Sequence, residues 1–413
     1  MQRRLGVFLI LVLCLSIADV SLGAVAKKVK AKVVKKAVLK KAETKKVEKP
    51  VLLPKVEVPP ALTEEKLQDY KEEVNVGFAK IKEQIDKISG DNSDAKVGGA
   101  IFFRWQKYTQ NGGSNVNNFD VDRAYIDIKK KLDWDASVRI TLDIARLDTT
   151  KLDTSKKSQN FFDYLKYAYV EMPISAVSSL YSPLSLSARL GLQHTMWIDW
   201  ADKILNLRFI AKSLVDNETV MSSADFGIGA LGKVSMANMP EVEYHATLQN
   251  GSGYKSPETD SRKNAGLRLN STVYQNDTLG SIIVGGFGNV VGLNSSGTDS
   301  SSTKQVGALV AYKHDLGTAY VEYLYGTGIM GYSLGGIYNF YPAFNVFARA
   351  DHYDPNRSNP NDELDRAFYG IIYDWGKDIR LALDMQTVTG GSAAATSAGK
   401  TTSALYLHTL VNI

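Results

Sequence analysis

The chain has 413 residues, 49 of them Lys or Arg and 44 Asp or Glu, a formal charge of +5, with 44% hydrophobic residues. A single cysteine, Cys14, excludes a disulfide framework, and the absence of any run of about twenty apolar residues excludes a helical membrane span. The positive excess is local: it belongs to one short segment near the N-terminus.

Arg3 and Arg4 precede an apolar run from Leu5 to Ala18, and Ala24-Val25-Ala26 supplies a small-x-small cleavage site. Residues 1–26 therefore read as a secretory signal peptide, with Cys14 inside it. Leu13 before that cysteine is wrong for a lipoprotein site, so the exported chain carries no thiol. Residues 27–62 read as a Lys-rich periplasmic linker. Within it, residues 27–49 hold eleven lysines against Glu43 and Glu48, a tract that is disordered by itself. Without the signal peptide and this tract the chain has 36 basic and 41 acidic side chains. A periplasmic polycation suits an anionic cell-wall polymer or lipid head groups, with attraction that weakens as salt rises; it suits a solvated linker equally. Nucleic acid is not an expected partner after export.

Thr63-Glu64-Glu65-Lys66 opens a helix predicted over residues 63–89, with Gly90 as its stop. Leu67, Val74, Ile81 and Ile88 recur every seven residues and share a stripe with Phe78 and Ile85. This pattern predicts a short coiled coil for self-association, although a helix packed on its own protomer fits too.

From Val97 to Ile413, strand-like stretches of roughly ten residues are separated alternately by short and long connections. Short ones fall at 133–134, 237–240, 276–278, 315–316, 342–343 and 375–378; long ones fall at 109–118, 148–160, 194–222, 253–263, 290–303, 354–364 and 389–401. The outer connection at 326–329 is exceptionally tight, and 172–183 is intermediate. About sixteen strands result, with both ends on the short-turn side, as in bacterial outer-membrane barrels. Within strands the residues alternate: Val138, Ile140, Leu142 and Ile144 with Arg139, Thr141, Asp143 and Ala145, and Ile379, Leu381, Leu383 and Met385 with Arg380, Ala382, Asp384 and Gln386. A soluble sandwich also alternates, but it has no reason to sort its loops by length. Trp134, Phe340, Tyr341 and Trp375 at short turns, with Trp105 and Tyr108 at the opposite end, fit two interfacial girdles. The predicted fold is all-β, a transmembrane antiparallel barrel over 97–413.

Several stretches carry a family resemblance: Phe119-Asp120-Val121-Asp122-Arg123-Ala124-Tyr125, Ala188-Arg189-Leu190-Gly191-Leu192-Gln193, Tyr244 to Tyr254, and Val346 to Asp354. In this order they resemble the phosphate-selective porins in the wider sense of that superfamily. The resemblance implies a trimeric, sixteen-stranded outer-membrane channel for passive diffusion of small hydrophilic solutes, often with a periplasmic coiled coil ahead of the barrel. The chain departs from the family by ending in Ile413 where such barrels end in Phe, and by lacking the dense lysine cluster of the phosphate-specific members. An alternative function is structural, an anchor tying the outer membrane to the cell wall through the Lys-rich tract and coiled coil.

Strand alternation places Arg104, Arg123, Arg139, Arg189, Arg268, Arg349 and Arg380 on the inner face, with Asp127, Asp143, Glu243, Glu322, Asp351 and Asp384. Rings of Arg favour anions, and opposed rows of the two signs orient polar solutes. Residues 97–413 hold 29 basic and 31 acidic side chains, so about half of these charges are expected to pair and hold the barrel's shape. In the longest connection, Trp200, Ile204, Leu207, Ala211 and Leu214 fall at helical spacing, flanked by Asp199, Lys203, Arg208 and Lys212. As the third outer loop it is expected to fold inward, its apolar face on the wall and Lys203, Arg208 and Lys212 toward the opening. A helix that caps the outside is the alternative. Histidines 194, 245, 314, 352 and 408 are scattered without metal-ligand spacing, and no catalytic constellation appears, so no enzyme activity, metal or cofactor is expected.

Overall fold

The computed structural model describes residues 95–109, 115–146, 161–174, 184–293, 302–390 and 401–413. The expected signal peptide, Lys-rich linker and coiled-coil helix lie outside the described residues. Sixteen strands follow one another: β1 (Ala95–Thr109), β2 (Asn115–Lys131), β3 (Ser137–Arg146), β4 (Phe161–Pro173), β5 (Leu184–His194), β6 (Ala224–Val234), β7 (Val242–Gln249) and β8 (Lys263–Asn276). The second half comprises β9 (Gly280–Leu293), β10 (Thr303–His314), β11 (Gly317–Gly326), β12 (Met330–Tyr341), β13 (Phe344–Asp354), β14 (Leu364–Trp375), β15 (Ile379–Gly390) and β16 (Thr401–Asn412).

Each strand lies beside its sequence neighbours, and β16 pairs antiparallel with β1 to close the barrel. Closure is forced by the solvent, because hydrocarbon cannot satisfy an open edge's N–H and C=O groups. The last residue completes the seam: Ile413 and Gly99 exchange two backbone hydrogen bonds of 3.0 and 2.8 Å. Ile413 thus carries the closing role without an aromatic ring.

Side-chain alternation becomes an oily exterior and a packed interior. Along β10, Val306 and Val310 are half exposed while Leu309 and Ala311 between and beyond them are fully buried. Phe226, Ile228, Tyr369, Ile371 and Leu383 continue the exposed apolar surface on other strands. At the short-turn end Trp134, Phe340, Tyr341 and Trp375 are exposed, and at the other end Trp105 donates from its indole N–H to Asn117 Oδ1 at 2.8 Å. Amphipathic rings at both rims suit the two water–lipid boundaries. The turn carrying Trp134 spans five residues rather than the two expected, because Asp133–Asp135 form a single 3₁₀ turn.

One irregularity changes a face. In β4 the register against β3 shifts between Thr141, which faces Tyr167, and Leu142, which faces Leu165. The extra residue is Lys166, so that it and Tyr167 both face into the barrel, where the Lys166 Nζ donates to the Tyr125 hydroxyl at 2.8 Å.

Candidate functional site

The segment between β5 and β6 enters the barrel as two short helices, α1 (Ile198–Leu205) and α2 (Leu214–Asn217). The single helix expected from the 200–214 spacing is interrupted. Asn206 ends α1 in a left-handed conformation (φ 54°), and the chain turns back before Leu214. The apolar stripe nevertheless stays on one side. Trp197, Ile198, Ala201, Ile204, Leu205, Leu207, Leu214 and Val215 are buried in one cluster with the inward side chains Phe287, Leu309, Leu324, Ile337, Phe347, Phe368 and Ile372. The loop therefore covers the inner wall across β9 to β14. Gly285 makes room for it: a side chain there would strike the Trp200 indole.

Polar contacts pin the loop at its turning points. The buried Glu322 carboxylate on β11 accepts from the Trp197 indole N–H at 2.9 Å and from the Leu214 backbone N–H at 3.1 Å. Arg268 donates to the Met196 carbonyl (2.7 Å), Arg349 to the Lys212 carbonyl (2.6 Å), and Arg380 to the Asn206 side chain (2.9 Å). Arg366 forms an ion pair with Glu218. Arg349 is fully enclosed and held by both oxygens of Asp351 at 2.6 and 2.7 Å, and Arg380 is held by Asp374 at 2.8 Å. Three of the seven inner-face arginines thus serve as loop fasteners. Asp384 meets Gln386 (2.9 Å) and His408 (3.3 Å) within the wall.

The other four arginines lie on the uncovered wall, β1 to β5. Arg104 pairs with Asp122 (2.9 Å), Arg123 with Asp143 (3.1 Å), Arg139 with Asp127 (2.9 Å) and Arg189 with Glu171 (2.6 Å). Tyrosine rings lie under all four, closest for Tyr167 under Arg139 at 4.7 Å and Tyr169 under Arg189 at 4.6 Å. Each of these guanidinium charges is therefore locally balanced. Lys166 and, from the loop between β7 and β8, Lys255 have no carboxylate within ion-pair distance among the described residues.

The loop's own cations also find partners nearby. Lys203 meets Asp199 at 2.6 Å, Arg208 lies between Asp202 (3.0 Å) and Asp216 (3.4 Å), and Lys212 reaches Asp216 at 3.4 Å. Burial raises the Asp202 carboxyl above its ordinary value against the pull of Arg208. Burial also acts upward on Asp216, but Arg208, Lys212, Lys166 and Arg123 together outweigh it and hold that carboxyl below its ordinary value. With Glu218, four carboxylates oppose three cations, so the loop is slightly acidic where the sequence pattern pointed to a basic eyelet.

A second loop also reaches inward. Tyr254, between β7 and β8, donates its hydroxyl proton to Asp143 on β3 at 2.6 Å and stands edge-on to Tyr164. The sequence signals neither this latch nor Lys166. Leu165 is exposed and Lys166 buried, and the bulge opposite Thr141 and Leu142 brings Tyr167 inward beside it. Two cavities flank the third loop. One, of about 520 Å³, is bordered by Arg139, Arg189, Lys203 and Arg268; the other, of about 350 Å³, by Arg123, Lys212, Tyr254 and Lys255.

No protein-family model matches the chain, and no curated protein matches it in sequence. Solved structures do match its fold. OprB of Pseudomonas putida, in its high-pH structure, is similar over 78% of this chain and 94% of its own, at 10% identity and a TM-score of 0.56. The anion-selective porin from Comamonas acidovorans is similar over 77% of this chain and 99% of its own, at 8% identity and a TM-score of 0.51. At such identities the likeness establishes the architecture alone, a closed sixteen-strand antiparallel barrel.

Proposed function

We propose that this chain is an outer-membrane porin, a homotrimeric channel for passive diffusion of small hydrophilic solutes with a preference for anions. The observation that carries this reading is the inward third loop, pinned against β9 to β14 so that the charged β1 to β5 wall faces the remaining lumen. A loop inside a barrel narrows the path, and charges on the path meet a solute that has lost part of its water. Anion preference rests on Lys166, Lys255 and Arg268, which have no carboxylate within ion-pair distance among the described residues, since the arginines of β1 to β5 and the loop cations are balanced by adjacent carboxylates. The assignment to an anion channel also agrees with the description of the Comamonas acidovorans porin, which is named as anion-selective. Purified protein in planar bilayers under a salt gradient tests it. Conductance with a zero-current potential on the anion side is expected, and Lys166→Met together with Lys255→Met should move that potential toward zero. A non-conducting bilayer removes the channel reading, and a cation-side potential in the parent removes the anion preference.

A further inference from the structure

The 350 Å³ cavity on the outer side of the third loop falls in the size range of small-molecule sites, roughly 300–1,000 Å³. Its lining is unlike the arginine wall. Thr219, Ser223 and Ser252 border it with hydroxyls that have no protein partner among the described residues. Asn264 accepts the Gly292 N–H through Oδ1 at 3.0 Å, which leaves its amide hydrogens for another acceptor. Asp216 Oδ2 is shut off from solvent and accepts no hydrogen bond, with Arg208 3.4 Å away. The hydroxyls and the amide thus offer the cavity neutral donors and neutral acceptors, the mixture that a polyol uses and a bare inorganic anion does not.

At one end the character changes. Arg123, Lys212 and Lys255 supply three cations against Asp216 and Asp225. Asp225 is already engaged by the backbone N–H groups of Gly251 (2.5 Å) and Phe226 (2.8 Å). Arg123 and Lys212 have their own carboxylates, whereas Lys255 Nζ lies only over rings, 5.1 Å from the centre of Tyr164 and 5.6 Å from that of Tyr254. Tyr254 is held in place by its bond to Asp143, so its half-exposed ring forms a fixed flat wall beside Lys255. A ring face next to a cation and a row of hydroxyls fits a solute with a C–H face, several hydroxyls and one acid group.

We infer that this cavity is an entry subsite for a monosaccharide-sized polyhydroxylated anion of the sugar-acid class, with Lys255 on the acid group, Tyr254 against the ring, and Thr219, Ser252 and Asn264 on the hydroxyls. This specifies the solute of the proposed channel and rests on that reading. Binding is measured apart from conduction, so the two can fail separately.

Full-length protein in detergent is titrated calorimetrically with D-glucuronate, glucose, acetate and inorganic phosphate. Glucuronate should bind, with glucose and acetate each weaker by about tenfold, the loss of one charge-assisted hydrogen bond or of the polyol contacts. Lys255→Met should bring glucuronate to the level of glucose, and Ser252→Ala should weaken glucuronate while leaving acetate unchanged. Circular dichroism confirms that each variant keeps its strand signal. Equal binding of acetate and glucuronate, tighter binding of phosphate, or an unchanged Lys255→Met titration each overturns the assignment. Glucuronate binding by a protein that conducts nothing would keep the subsite and remove the channel.

Discussion

Glu322 holds the two ends of the folded third loop at once, and its replacement should release the turn between them. In Glu322→Leu the Trp197 indole N–H and the Leu214 N–H both lose their acceptor inside a dry cluster. Hydrogen bonds to a charged group are worth about 1.5–3 kcal/mol each, so the pair contributes about 3–6 kcal/mol to the inward loop. The apolar contacts remain. A fully buried large side chain contributes about 1.5–3 kcal/mol, and Trp197, Leu205, Leu207 and Leu214 are all buried, so the loop should stay inside while opening locally around 206–217. Hydrogen exchange at Leu214 reads that opening directly. A loss of about 3 kcal/mol corresponds to exchange faster by about a hundredfold, and Glu322→Gln, which keeps one acceptor oxygen, should fall between. Bilayer recordings of the Leu variant should show larger and noisier currents. Exchange within a factor of about ten of the parent, with unchanged current, would mean that apolar packing alone fixes the loop and that Glu322 is incidental.

Lys203 is the most exposed of the loop cations, 74% at the side chain, so Lys203→Glu should shift the zero-current potential toward cations, most at low salt where the Debye length reaches roughly 30 Å at 0.01 M. An identical potential at low salt takes Lys203 out of the ion path. Arg208→Glu would instead set three carboxylates together with Asp202 and Asp216 and should lower the thermal midpoint; an unaltered midpoint would show that the cluster carries no structural weight. Acidification separates the loop carboxylates by sign. Asp202, raised by burial, takes up a proton first as pH falls, which favours the folded loop. Burial acts upward on Asp199 too, but His194 and Lys203 bring it down to about 2, so its stabilising contribution is complete above its unfolded value near ~3.9 and is lost only toward about 2. Anion preference should therefore rise between neutral pH and about pH 4 with the loop still in place, and a flat profile of potential against pH would contradict the Asp202 assignment. Deleting residues 27–95 should weaken the oligomer while the barrel folds, since each protomer closes its own hydrogen bonds; cross-linking that returns an unchanged trimer refutes a coiled-coil role.

The barrel was readable because two of its constraints are periodic. Lipid demands an apolar residue at every second position, and the opposite ends of the barrel demand loops of different length, so strand number, turns and faces could be read from Val138-Arg139-Ile140-Thr141 and from the alternation of connections. The same periodicity carries no mark of the bulge at Lys166. A bulge inserts one residue without any composition signal, and everything beyond it along β4 changes parity, so Tyr167 and Tyr169 point inward only because Lys166 is extra. The third loop was half legible: its 3.6-residue stripe identified the buried side, but Asn206, which breaks the helix in a left-handed turn, is an ordinary polar residue in sequence.

Alternation assigns a charge to a face and says nothing of its partner, and for this chain the partner decides the role. Arg189 and Arg349 are equivalent by pattern, each inward and mid-strand. Arg189 meets Glu171 one strand away on the open wall, while Arg349 is sealed under the loop and bonded to the Lys212 carbonyl 137 residues earlier. Loop cations show the same dependence. Lys203, Arg208 and Lys212 have the spacing of a basic eyelet, yet Asp199, Asp202 and Asp216 return to them within the folded loop and cancel their charge. The cations left for a passing solute are those that meet no carboxylate among the described residues: Lys166 on the Tyr125 hydroxyl, Lys255 over a ring pair and Arg268 on the Met196 carbonyl, none of them a partner that is local in sequence. Selectivity in such a barrel follows from the pairing pattern rather than from the count of basic residues.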